Sequence, residues 1–76
     1  MKTIVITGTT IELYKMLKFE ALVASGGEAK ALIEVGEVRV NGEVETRKRK
    51  KLSAGDTIHV FGEGYVIATT TVADNV

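Results

Sequence analysis

The chain has no cysteine. Disulfides and thiolate metal sites are therefore excluded. A small secreted domain would ordinarily need such staples, so a reducing cytoplasm is the expected setting. Tryptophan is also absent, and only two Phe and two Tyr occur, so the core is expected to be built from Val, Ile and Leu. No run of about 18 apolar residues exists to cross a membrane. The N-terminus lacks the charged region and long apolar core of a signal peptide, so a soluble, unprocessed chain with no membrane partner is expected. His59 is the one histidine. With no cysteine and no carboxylate cluster at ligand spacing, it gives no reason to expect a metal. P-loop, dinucleotide-binding and nucleophile-elbow patterns are missing as well. No catalytic constellation and no cofactor are expected.

What is present is one small domain. A chain of 76 residues buries only about 60% of its unfolded surface, near the lower limit for independent folding. Its net charge is zero, but the distribution is uneven. Residues 1–46 carry five basic and seven acidic groups, and residues 52–76 carry three acidic groups and no Lys or Arg. Half of all Lys and Arg lie in the run Arg47-Lys48-Arg49-Lys50-Lys51. A concentrated positive patch on an acidic body attracts polyanions locally while limiting non-specific adhesion.

Local patterns give the order of elements. Lys2 to Thr7 reads as a strand ended by Gly8. Thr9 to Glu12 fits a capping box, followed by Leu13, Met16, Leu17 and Ala21 on one face, which predicts a helix over about 10–18. Ser25 and Glu28 repeat the box, Ala29, Leu32 and Ile33 form a buried stripe, and Gly36 fits a helix stop, which predicts a second helix over about 26–35. Val38 and Val40 then share one strand face with Arg39 on the other. Asn41-Gly42 is a strong hairpin signal, because both residues accept positive φ. Val44 is expected to resume the apolar face. Beyond the basic run, Leu52 to Asp56 forms a turn. Thr57 to Phe61 alternates, with Ile58 and Val60 on one face and His59 and Phe61 on the other. Gly62-Glu63-Gly64 reads as a three-residue hairpin loop, Tyr65 to Thr70 as the last strand, and residues 71–76 as a frayed tail. The expected architecture is α+β: a helical hairpin packed on a small, mostly antiparallel sheet.

Three groups of residues are candidates for binding. Five adjacent cations at Arg47, Lys48, Arg49, Lys50 and Lys51 can neutralise several phosphates and release their counterions. They repel one another when no anion is present, whereas a bland reading makes them a solvated loop. Lys30 lies on the flank of the second helix, near free N–H groups around Gly26 and Gly27 that favour an anion. Its bland alternative is a weak surface pair with Glu34. Arg39 either reaches the same ligand or pairs with Glu37 and Glu43.

The stretch SGGEAKALIEVGEVRVNGEV, residues 25–44, resembles the core motif of the RNA-binding domain named after small-subunit ribosomal protein S-four. The matching positions are Ser25, Ala29, Lys30, Gly36, Val38, Val40, Asn41 and Gly42. LSAGDTIHV, residues 52–60, is similar to the closing strand of that family. The resemblance covers about residues 11–62 and points most closely to short stand-alone bacterial members. It implies the αL RNA-binding fold and a non-enzymatic protein. It also implies roles at an RNA surface for Ser25, Gly27, Lys30, Arg39 and Asn41 and, by proximity, for the basic run. Gly26 stands where many members carry Arg, and Glu12-Leu13-Tyr14 where many begin with Arg-Leu-Asp. The implied load therefore shifts toward residues 47–51.

The expectation is a monomeric RNA-binding protein that grips structured RNA, ribosomal or transfer, through its phosphates, with possible ribosome association left open. A ubiquitin-like β-grasp sulfur carrier is the alternative, since VNGEV followed by LSAGDTI is similar to those proteins. A carrier needs a C-terminal Gly-Gly, and this chain ends Ala73-Asp74-Asn75-Val76. A protein–protein adaptor is the third reading.

Overall fold

A computed structural model of the chain describes residues 1–70. The tail expected to fray, residues 71–76, lies outside the described residues. Strand β1, Lys2–Ile6, buries Ile4 and Ile6 and turns Thr3 and Val5 outward, the alternation of a half-buried strand. The next segment departs from expectation. Thr9 and Glu12 form no capping box. Instead Ile11–Glu12 is a two-residue strand, β2, and helix α1 runs only over Leu13–Phe19. Glu12 becomes its N-cap residue without a side-chain cap bond. A non-local pairing is the cause, because β2 pairs antiparallel with β5, Lys51–Leu52.

Helix α1 buries Leu13, Met16 and Leu17. Ala21 is not on that face, contrary to expectation. It adopts φ +57 just beyond the helix. The Ala21 N–H donates to the Lys18 carbonyl and the Leu22 N–H to the Leu17 carbonyl, each at 3.0 Å. This is the closure usually made with glycine. Helix α2, Gly26–Glu34, starts as its sequence predicts. Ser25 Oγ accepts from the Glu28 N–H at 3.1 Å, and Glu28 Oε1 accepts from the Ala24 N–H at 2.6 Å. Gly36, at φ +84, ends it with the same closure: its N–H donates to Ile33, and the Glu37 N–H donates to Leu32.

Strands β3 (Arg39–Val40), β4 (Glu43–Val44), β6 (Thr57–Val60) and β7 (Glu63–Thr69) complete the domain. The main sheet has the order β1-β7-β6-β3-β4 and is antiparallel except at β1–β7, which is parallel. Both helices pack on the face that carries Ile4, Val38, Val40, Ile58 and Ile67. Met16 and Tyr65 join this otherwise aliphatic core. Val44 does not resume the apolar face. It lies opposite Arg39 and is 49% exposed, because directly paired residues share a face. The last hairpin also differs from its predicted form. Val60 pairs with Glu63, so the turn is Phe61-Gly62, with φ +55 and +75. Gly64 lies inside β7.

The Asn41-Gly42 turn forms as expected, with φ +53 and +87. Asn41 also ties that turn to the next one. Its Oδ1 accepts from the Thr57 N–H at 2.9 Å, and its Nδ2 donates to Asp56 Oδ1 at 3.1 Å. Asn41→Gly keeps the backbone freedom and removes the side-chain bonds, with an expected loss of about 1–2 kcal/mol in urea unfolding. Asn41→Ala should lose about 1 kcal/mol more, because alanine resists a left-handed backbone. Equal losses would show that the turn conformation adds nothing of its own.

Candidate nucleic-acid interface

The first four N–H groups of a helix lack partners inside the helix. At α1 two of them are satisfied by the basic run itself. The Leu13 N–H donates to the Lys50 carbonyl at 2.8 Å, and the Tyr14 N–H donates to the Lys48 carbonyl at 3.1 Å. The Lys50 N–H donates to the Arg47 carbonyl, which turns the chain between them. With Lys51 paired in β5, the run is fastened to the start of the helical hairpin along its backbone.

Two of its five cations are committed to carboxylates. Arg47 donates Nε and Nη2 to both oxygens of Glu45, at 2.9 and 3.0 Å, and its N–H donates to Oε2 at 2.9 Å. Lys48 Nζ lies 2.6 Å from Glu34 Oε2 on α2, which gives Glu34 a partner other than the Lys30 considered from sequence. No ion pair involves Arg49, Lys50 or Lys51 among the described residues.

Lys30 reaches across the hairpin to Tyr14, with Nζ 4.9 Å from the ring centre, and Lys15 stands 5.9 Å from the same ring. Lysines at this range are held by the electron-rich ring face. Tyr14, Lys15 and Lys30 therefore form one cluster, and the bond from Tyr14 to Lys48 joins it to the run. Ser25 is occupied as a cap. Gly27 is exposed, and a Cβ there would make only an ordinary 3.9 Å contact with Ser25 Oγ. Glu28 sits in the first turn of α2, where its negative charge offsets the attraction of that helix end for anions.

Arg39 stands apart. Val38 and Val40 point to the helices, so Arg39 faces away from them, beside His59. Its Nη1 donates to the Gly42 carbonyl at 3.4 Å, and no ion pair to Glu37 or Glu43 forms among the described residues. Asn41 spends its amide on Asp56 and Thr57. The sequence reading overlooked the Tyr14 cluster and the roles of Glu34 and Glu45. Lys15 next to Tyr14 was legible in the chain, but Lys30 reaches the ring only through the packing of the two helices. The two carboxylate partners depend on folding.

Acid should weaken this arrangement. Hydrogen bonds from Arg47, with its charge and that of Lys50, outweigh burial and lower the Glu45 carboxyl from 4.5 to about 2. Burial opposes ionisation of Asp56, but the Ser53 N–H, the Asn41 amide, the charge of Lys50 and the Ser53 hydroxyl still bring it below its ordinary value. Carboxyls depressed in the folded state stabilise it fully above their unfolded values and lose that contribution as pH falls through the folded ones. The thermal midpoint should therefore fall between about pH 5 and pH 2, and Glu45→Gln should make that fall shallower. An identical acid profile for the variant would contradict the assignment.

The chain resembles known proteins in sequence and in fold. Residues 4–68 match a family model described as the S4 domain. YbcJ of Escherichia coli (strain K12) is 48% identical over 52 residues, which are 68% of this chain and 74% of YbcJ. A Bacillus subtilis (strain 168) protein named "Probable ribosome maturation protein RlbA" is 39% identical over 54 residues, 71% of this chain and 76% of its own. The solution structure of YbcJ from E. coli, reported to reveal an αL motif involved in RNA binding, superposes with a TM-score of 0.67 at 39% identity. It covers 90% of this chain and 87% of that one. The 30S ribosomal protein S4e from Thermoplasma acidophilum shares the fold, with a TM-score of 0.59 at 22% identity over 78% of this chain and 31% of that one. By sequence over most of its length, and by the helical hairpin set against its sheet, the chain belongs to the S4 domain family.

Proposed function

We propose that the chain is a small, non-enzymatic RNA-binding protein that grips structured RNA through phosphates. One observation carries the reading. The backbone of the basic run caps α1, which brings the stretch carrying Arg49, Lys50 and Lys51, free of salt bridges among the described residues, up to Leu13 and Tyr14 and so to the Tyr14–Lys30 cluster of the helical hairpin. A run whose backbone is already held loses less backbone freedom on binding than a floppy loop would. The αL motif reported for YbcJ supports RNA as the partner, and the name given to RlbA favours a ribosomal RNA over a transfer RNA. A monomer acting in the cytoplasm fits this reading. The sulfur-carrier alternative loses its support to the S4 domain match and to the two adjacent helices that precede the hairpin.

Backbone gripping makes a quantitative prediction. With about four to five phosphates engaged, log affinity for a ribosomal RNA fragment should fall with log salt at a slope of roughly −3 to −5. The double variant Arg49→Ala/Lys50→Ala should make that slope shallower by about 2. Fluorescence anisotropy across a salt series measures both. A slope near zero, or an unchanged slope in the double variant, would overturn the reading.

A further inference from the structure

The sheet has a second face, which the helices leave uncovered. At one end of it, pairing register brings four side chains together. Arg39 lies directly opposite His59, and Glu37 and Phe61 follow two residues along on the two neighbouring chains, so all four line one open concavity with Gly62. Two features of this place are costly to the fold. Phe61 holds φ +55 while 59% exposed, although bulky residues resist that conformation and an Asn or Asp would suit the turn better. Gly64 interrupts β7 opposite His59. A Cβ there would come within 3.0 Å of His59 Nε2 and 3.2 Å of Cδ2, so the bare glycine lets the imidazole lie across the strand. Strain of this kind concentrates at functional sites.

We propose that this face is a second RNA contact, one that holds an unpaired nucleobase. The proposal rests on the RNA-binding reading above and adds a separate site to it. The chemistry selects a base over a phosphate. Two exposed rings lining one open concavity offer a stacking surface. Arg39 donates hydrogen bonds and Glu37 accepts them, and a base edge presents both acceptors and donors. The Glu37 carboxylate, which lines the same concavity as Arg39, disfavours a phosphate there. A stacked base would use Phe61, His59, Arg39 and Glu37 at once, whereas the helical side of the molecule offers cations for the backbone.

The test uses the whole chain, an unstructured hexanucleotide and NMR. Amide shifts are expected at Phe61, His59 and Arg39. Phe61→Asn, which suits the turn, should raise the thermal midpoint and abolish those shifts. The same substitution should weaken binding of an RNA with an unpaired loop by roughly 5- to 100-fold, the range for one lost stacking contact, and leave the salt slope unchanged. Shifts confined to residues 47–51 and Lys30 would overturn this proposal and leave the phosphate-gripping reading standing. Shifts nowhere would overturn it as well, while the salt slope with the ribosomal RNA fragment decides the phosphate-gripping reading separately. A raised midpoint with undiminished RNA affinity would overturn it too, and would make Phe61 a residue of the turn alone. Shifts at this face with a Lys- or Arg-containing peptide but not with RNA would assign it to a protein partner instead, and likewise overturn the base site.

Discussion

The arrangement depends on how the start of α1 is satisfied. A helix of seven residues is too short to be stable by itself, and its N-cap residue offers no side-chain bond. Its free N–H groups are met from far along the sequence, by the carbonyls of Lys50 and Lys48. That contact makes the basic run part of the helix boundary. It also pulls Lys51 into the β2–β5 pair, seats Leu52 in the core and brings Lys48 within reach of Glu34 on α2. A stretch whose composition suggests a solvated loop is thereby held as architecture.

Electrostatics explains which cations remain available. Five adjacent positive charges repel one another, and the fold relieves part of that repulsion with Glu45 under Arg47 and Glu34 beside Lys48. The Lys48–Glu34 pair is at the surface, where it contributes little to stability, whereas the Glu45 side chain is largely covered and takes three bonds from Arg47. Their effect is mainly on position: Arg47 and Lys48 anchor the start of the turn, and among the described residues no salt bridge holds the three cations that follow. The molecule thus has a basic run fastened to the helical hairpin, and an uncovered sheet face where Arg39 and Glu37 line one concavity without an ion pair between them.

Much of the fold was legible because it rests on local chemistry. Ser25 and Glu28 start α2, Gly36 stops it, and Asn41-Gly42 turns the hairpin, each through bonds within a few residues. What the sequence hid is non-local or contrary to propensity. The Thr9–Glu12 pattern suggests a cap, but pairing with Lys51–Leu52 takes Ile11 and Glu12 into a strand instead. Ala21 and Phe61 adopt left-handed conformations that their types do not advertise, so Ala21 was wrongly put on the buried face of α1 and the last turn was misplaced. At the candidate site the cations themselves were legible. Their carboxylate partners, and the separation of Arg39 from the helical side, follow only from strand register and helix packing.

Hydrogen exchange at the Leu13 and Tyr14 amides of the free protein tests the central claim directly. If the basic run is docked on α1, both amides should exchange slowly, through an opening close in free energy to that of the core amide of Ile33. Exchange at the rate of an unstructured peptide at Leu13 and Tyr14, with Ile33 still protected, would contradict it. The run would then be a mobile loop, without the fixed cations on which the account depends.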